Sequence, residues 1–280
     1  MCYTGAVRAQ IGIGILLCVG CVAASAVTEA RGDDAPPDDM PMAPAGERER
    51  AWCAPELISL SEGVCVVVPS RLVEPREVVV FLHGVIKPDS DWQFAQQRAV
   101  ARAARTHGFV AVMPRGRRGV GPSGMQQWWT WPTSAAAQGA IEDELITEWT
   151  MAERAVEAAL GKSFERRYLF GFSNGAYYAS SLALRGRVVM DGYGIFAGGS
   201  SAGYLAQRAR EVRDRSPIYV GFGNRDGEAR GDAAKFAGVL AALHWPHRAV
   251  GRPRVGHTMT DSMVTEALEF FRAGGNDPKK

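Results

Sequence analysis

Cysteine is scarce in this chain and unevenly placed. Of five cysteines, Cys2, Cys18 and Cys21 lie near the amino terminus, which leaves only Cys53 and Cys65 for the rest of the sequence. That pair lacks further ligands at metal-binding spacing, so no metal is expected. No glycine-rich phosphate or dinucleotide fingerprint follows the first apolar strand, so no cofactor is expected either. A charge imbalance is also missing. The formal net charge is +2, and the one basic cluster, Arg115 to Arg118, is interrupted by Gly116, so nothing calls for a nucleic-acid partner. Lysine is rare and arginine supplies most of the positive charge, a matter of composition. No internal repeat is visible. The longest apolar run, Ile11 to Ala24, is too short for a comfortable membrane span. No pair of carboxylates from separate elements stands out for glycosidase chemistry.

What is present starts at the amino terminus. Arg8 followed by Ile11–Ala24 has the charged and apolar regions of a secretory signal, and Ala24-Ser25-Ala26 offers a cleavage site, so residues 1–26 read as a signal peptide. Val19-Gly20-Cys21 partly matches a bacterial lipoprotein box, with Cys18 where leucine is usual. A lipid anchor at Cys21 is therefore the alternative, and an uncleaved anchor a third reading. Residues 27–50 are rich in Pro, Asp, Ala and Arg and lack aliphatic periodicity, which makes them a disordered linker. Residues 51–275 then have the length and the apolar content, 46% over the chain, of one large α/β domain. In an exported chain Cys53 and Cys65, set around two short apolar runs with a Ser-Glu-Gly turn between them, suggest a disulfide across a hairpin. Two free buried thiols in a cytosolic protein are the competing reading.

The domain is organised around Arg167-Tyr-Leu-Phe-Gly-Phe-Ser-Asn-Gly-Ala-Tyr-Tyr178, which reads as a buried strand, a sharp turn and a helix from Asn174 to Arg185. Ser173 sits at the turn within Gly171-x-Ser-x-Gly175. Small flanking residues let such a turn push one side chain clear of the backbone, and the helix start directs N–H groups and a positive dipole end at any oxyanion formed there. An ordinary serine in a glycine-rich turn gives the same pattern by chance. Three other stretches favour chemistry. Val78-Val-Val-Phe-Leu-His-Gly84 is an apolar strand ending at His83-Gly84, after which the Val85 N–H is placed to be a second oxyanion donor beside that of Asn174. Pro217 to Gly223 is another apolar strand, followed by Asn224-Arg225-Asp226. Val255-Gly-His-Thr-Met259 puts His257 in a loop before the last helix.

The order Ser173, Asp226, His257 resembles that of the α/β-hydrolase superfamily, and the chain is similar, over roughly Val64 to Arg272, to secreted esterases of the polyhydroxybutyrate depolymerase, feruloyl esterase and phospholipase/carboxylesterase type. The resemblance implies a mostly parallel central sheet with helices on both faces, a three-layer αβα architecture. It also implies an exported serine esterase in which His257 activates Ser173 and Asp226 orients His257. The substrate would be a small-molecule or polymeric ester; oligomeric state is left open. A peptidase or thioesterase would use the same three residues, and a noncatalytic hydrolase-like envelope binder is the reading from another class.

The remaining histidines have simpler explanations. His107 ends a helix, His244 and His247 flank Trp245-Pro246 at a turn, and His83 shapes the oxyanion turn. Asp191 is the rival acid, placed in a strand from Val188 to Ala197 that continues beyond it, too early to reach the carboxyl edge. Asp214 precedes a strand within a charged stretch, and Asp232 is expected to cap a helix from Gly231 to Leu243. Gly116 to Ala140 is a long aperiodic insert after a strand, and its Trp128, Trp129 and Trp131 either roof a substrate pocket or staple the loop to the core. Arg115 and Arg117 could meet an anionic substrate group but read better as solvated loop charges. Ile141 to Leu160 is an amphipathic helix with Glu142, Asp143 and Glu144 in its first turn, where the dipole accounts for them. Further helices are expected at Trp92 to Arg105, closed by Gly108, and at Thr260 to Arg272.

Overall fold

The computed structural model describes residues 51–200 and 202–275. The expected signal peptide, the 27–50 linker and Cys21 lie outside the described residues. The rest alternates strand and helix. In chain order it comprises β1 (Ile58–Ser61), β2 (Val64–Val67), β3 (Glu77–Leu82), α1 (Trp92–His107), β4 (Val110–Pro114), α2 (Ala135–Leu160) and β5 (Arg166–Phe172). There follow α3 (Asn174–Leu184), β6 (Gly192–Phe196), α4 (Gly203–Ala209), β7 (Ile218–Gly223), α5 (Gly227–Ala242), β8 (His247–Arg252) and α6 (Asp261–Arg272).

The eight strands form one sheet in the order β1-β2-β4-β3-β5-β6-β7-β8. β1, β2 and β4 pair antiparallel and every other neighbour is parallel. Side chains alternate along a strand, and β3 divides accordingly. Val78, Val80 and Leu82 enter one core with α2, α3 and α5, while Val79 and Phe81 enter the other with α1 and α6. Because both faces are covered, the central strands read as unbroken apolar runs rather than alternating ones. This is the three-layer α/β-hydrolase fold.

Several boundaries differ from those read in the sequence. α2 starts at Ala135, six residues before Ile141, because Ser134 caps it by accepting the Ala137 N–H at 3.2 Å. Glu142, Asp143 and Glu144 are therefore not in its first turn, and ion pairs replace the dipole as their explanation. Glu142 is buried and binds Arg185 at 2.5 Å and Arg187 at 3.0 Å, Asp143 also meets Arg187, and Glu144 meets Arg117 at 3.0 Å. α5 starts at Gly227, since burial of Ala229 and Ala233 outweighs the low helix propensity of the Gly227–Gly231 stretch. Asp232 thus lies inside the helix and is no cap; its carboxylate accepts the Tyr177 hydroxyl at 2.6 Å. β6 begins only at Gly192, and Asp191 precedes it.

Cys53 and Cys65 form a disulfide with their Cα atoms 5.4 Å apart. It joins the segment ahead of β1 to the fully buried β2 position, rather than spanning the β1–β2 hairpin itself. Gln97 of α1 reinforces the anchor, donating to Trp52 O at 2.9 Å and accepting from Ala54 N–H at 2.8 Å. With 12 residues of sequence separation, reduction is expected to cost about 3 kcal/mol by releasing loop entropy to the unfolded chain. Urea unfolding with and without reductant checks this; coincident midpoints would contradict it.

Candidate active site

All the candidate catalytic groups lie at the carboxyl ends of parallel strands. β5 ends at Phe172, and Ser173 follows with φ 51° and ψ −118°, a strained conformation for a residue with a side chain, costing on the order of 1–3 kcal/mol. The turn closes because glycine flanks it. A Cβ on Gly171 would strike the Gly175 carbonyl, and one on Gly175 would strike that of Leu82 at the end of β3. The Ser173 N–H donates to Phe196 O at 2.9 Å and its carbonyl accepts the first turn of α3, from Ala176 N–H at 2.8 Å. The hydroxyl is left facing the sheet edge.

His257 reaches that hydroxyl, with Nε2 2.9 Å from Ser173 Oγ. Its Nδ1 lies 3.0 and 2.9 Å from the two Asp226 carboxylate oxygens. Asp226 is 7% exposed and occupies the N-cap position of α5, where its carbonyl accepts the Arg230 N–H at 2.9 Å. The His257 loop is fixed downstream by Thr260, which caps α6 by accepting the Met263 N–H at 3.3 Å. The Phe172 ring backs the imidazole at a centroid distance of 5.1 Å. Ser173, His257 and Asp226, distant in sequence, thus form one hydrogen-bonded line.

Asp191, the rival, lies at the other end of the sheet. Its carboxylate accepts the Arg167 N–H at 2.7 Å and its own N–H donates to Arg167 O at 2.7 Å. Ser173 lies six residue steps along the strand from Arg167, a distance of about 20 Å.

The oxyanion side rests on a buried network. His83 Nε2 accepts the Gly116 N–H at 2.9 Å, which makes Nδ1 the protonated nitrogen, and Nδ1 donates to Gly84 O at 2.5 Å. The Gly84 N–H donates to Gln96 Oε1 of α1 at 2.8 Å. The Val85 and Asn174 N–H groups are taken by no hydrogen bond among the described residues, so both remain for a ligand. The Asn174 side chain is committed elsewhere, accepting from Trp131 N–H at 2.6 Å and donating to Trp131 O at 3.3 Å. Gln96 was not singled out in the sequence. Its position on the first turns of the helix that follows the His83-Gly84 turn is the signal that could have found it.

The tryptophan insert divides. Trp131 is fully buried, donates Nε1–H to His83 O at 2.9 Å and stacks on Tyr178. It is a core residue behind the oxyanion turn, which corrects its expected place in a substrate pocket. Trp129 exchanges two 3.0 Å backbone hydrogen bonds with Ile86, so the insert is stapled to the residue next to Val85. Its half-buried ring carries the Arg115 guanidinium at 4.2 Å and that of Arg118 at 4.4 Å. Trp128 packs edge-on against Trp92 at the start of α1. Arg117 is held by Glu144 and Glu148. Arg115 and Arg117 are therefore occupied, by a ring and by carboxylates.

Burial pushes His83 down from 6.5 to about 4, aided by the Arg115 charge and opposed by the hydrogen bond to Gly84 O. Between pH 4 and 6.5 the unfolded chain then binds more protons at this site than the folded protein does. The His83 contribution to stability is fully present above pH 6.5 and is lost as pH falls toward 4, by about 3 kcal/mol. Unfolding free energies of the wild type and His83→Gln across this range test it. The wild type should lose the additional stability, and equal slopes would contradict the assignment.

With this geometry in hand, comparison defines first the class and then the family. Among solved structures, esterase PE8 is similar at TM-score 0.54 and 19% identity, covering 75% of this chain and 97% of that one. FphF, a fluorophosphonate-binding serine hydrolase of Staphylococcus aureus, is similar at TM-score 0.52 and 16% identity, over 76% of this chain and 92% of that one. TT1662 from Thermus thermophilus matches at TM-score 0.50 and 20% identity, over 79% and 98%. At these identities the likeness establishes the fold. No curated protein matches the sequence. The family model described as esterase PHB depolymerase matches residues 63–215, more than half of the chain, and the chain belongs to that family. It is an α/β-hydrolase enzyme, an esterase of the serine-hydrolase class.

Proposed function

We propose that the protein is an exported esterase that hydrolyses a carboxylic ester through Ser173, His257 and Asp226 and an acyl-enzyme intermediate. The observation that carries the proposal is the unbroken hydrogen-bonded line from Ser173 Oγ through both His257 nitrogens to Asp226. The matched family segment contains His83, Val85 and Ser173 but ends before Asp226 and His257, so support for the acid and the base is geometric.

A serine hydroxyl is too weak an acid to attack unaided at neutral pH. With the His257 proton on Nδ1 and directed at Asp226, Nε2 is free to take the Ser173 proton as Oγ attacks the ester carbonyl. The Asp226 carboxylate stabilises the resulting imidazolium. The Val85 and Asn174 N–H groups face the developing oxyanion, each worth on the order of 3 kcal/mol in the transition state. Nε2–H then protonates the departing alkoxide, and water repeats the sequence to free the acid. Trp128 and Trp129 lie on the insert stapled beside Val85, and we assign them to the wall of the substrate entrance.

Export is supported by the Cys53–Cys65 disulfide, which persists in oxidising compartments, and by the signal-like residues 1–26. The described residues contain no helix long and apolar enough to cross a membrane. The domain plan is a signal peptide over 1–26, a linker over 27–50 and a catalytic domain over 51–275, with lipidation of Cys21 as the alternative to simple cleavage.

Fluorophosphonate labelling tests the proposal: the adduct should map to Ser173 by peptide mass. Labelling at another serine, or a p-nitroanilide or thioester turned over faster than the p-nitrophenyl ester of the same acid, would overturn it.

A further inference from the structure

The Asp226 carboxylate has little to hold it except its own backbone. Among the described residues it hydrogen-bonds only to His257, and although Asp226 occupies the N-cap of α5 its side chain caps no N–H of that helix. The helix is also weak at this end, because Gly227 and Gly231 both fall within its first five positions and glycine disfavours a helix interior. A group that must orient an imidazole needs placing to within about 0.5 Å, so the start of α5 requires an outside hold. One comes from the helix that Ser173 begins. Tyr177, on the first turn of α3, donates its N–H to Ser173 O at 3.2 Å and its hydroxyl to Asp232 Oδ2 at 2.6 Å. Asp232 lies on the second turn of α5, and its other oxygen faces Lys235 at 3.6 Å.

The surroundings are shaped for this contact. The loop after β6 meets both helices: a Cβ on Gly198 would lie 3.1 Å from the Tyr177 ring and equally close to Ser173 O, while one on Gly199 would lie 2.8 Å from the Phe236 ring of α5. Consecutive glycines thus let one ring from each helix close on the same loop. Tyr177 is half-buried. Burial, the Asp232 hydrogen bond and the charges of Asp232, Asp226 and Glu228 all push its hydroxyl pKa above the usual phenol range, so it stays protonated and donates. A hydroxyl donating to a carboxylate is among the stronger hydrogen bonds. We propose that Tyr177 and Asp232 are positioning residues: their hydrogen bond pins the start of α5 to α3, and so sets Asp226, and through it His257, against Ser173. Both act through Asp226 rather than on the reacting atoms, and the proposal rests on the roles assigned above to Ser173, His257 and Asp226.

The test follows kcat and KM for p-nitrophenyl butyrate, with kcat taken per active site titrated to completion by a fluorophosphonate, so that misfolded protein does not count. Tyr177→Phe, which keeps the ring and removes the hydroxyl, and Asp232→Ala should each lower kcat about 10-fold while KM stays within about twofold of wild type, as a small misplacement of the acid allows. The double variant should be no slower than either single one, because a single shared bond is lost. Asp232→Asn keeps an acceptor oxygen for the hydroxyl and should restore most of kcat. In an Asp226→Asn background Tyr177→Phe should change kcat by less than about twofold, since no carboxylate is left to position. Wild-type kcat per site in Tyr177→Phe overturns the proposal, as do losses that multiply in the double variant or persist in full in the Asp226→Asn background. So does a loss in Asp232→Asn as deep as that in Asp232→Ala, which would trace the effect to the charge instead of the bond. Wild-type kcat in Asp226→Asn alone would overturn the reading of the acid, and this role for Tyr177 with it, a result distinct from all of these.

Discussion

Replacing Ser173 with alanine is expected to lower kcat for ester hydrolysis by about 10³-fold or more while leaving the fold intact. Removing the Oγ deletes the proposed nucleophile but not the proposed oxyanion donors, so only the residual catalysis of binding and backbone N–H groups should remain. The stability effect should be small. Alanine at 173 carries the same left-handed strain as serine, and among the described residues the hydroxyl's one side-chain hydrogen bond is with His257 Nε2. Steady-state kinetics with p-nitrophenyl butyrate, set beside thermal unfolding, separate the two quantities. Undiminished kcat in a purified variant would remove Ser173 from the mechanism.

Asp226→Asn is expected to lower kcat by about 10²-fold or more. Both Asp226 oxygens lie within 3.0 Å of His257 Nδ1, and an amide neither supplies the negative charge nor reliably holds the proton on that nitrogen. Asp191→Asn is the control. Its carboxylate accepts a backbone N–H from Arg167, at the amino end of β5, and the substitution should register in unfolding rather than in turnover. If the Asp191 variant loses turnover at unchanged melting temperature while the Asp226 variant does not, the acid has been misassigned.

Much of the fold was legible because its central strands are covered on both faces. Val78–Leu82 and Arg167–Phe172 read as continuous apolar runs ending in His83-Gly84 and Ser173, and strand-to-loop transitions of that kind mark the carboxyl edge without reference to partners. Helix starts were less legible. The Ala135–Ala140 stretch has no apolar periodicity, and only Ser134 and the packing of α2 against the sheet extend it. Gly227–Gly231 reads as loop because glycine weakens a helix, yet burial of Ala229 and Ala233 sustains one.

The sequence by itself determined the chain order of the proposed nucleophile, acid and base, the fold class and the pair Cys53 and Cys65, since each depends on residue type and local spacing. Tertiary structure alone decided what those residues touch. Trp131 could not be told from Trp128 or Trp129 until the insert was seen to thread between His83 and Asn174. Glu142, apparently a helix-start acid, became the buried partner of Arg185 and Arg187. Burial, ion pairing and backbone approach are long-range properties, set by which strands and loops become neighbours, and no local window of sequence contains them.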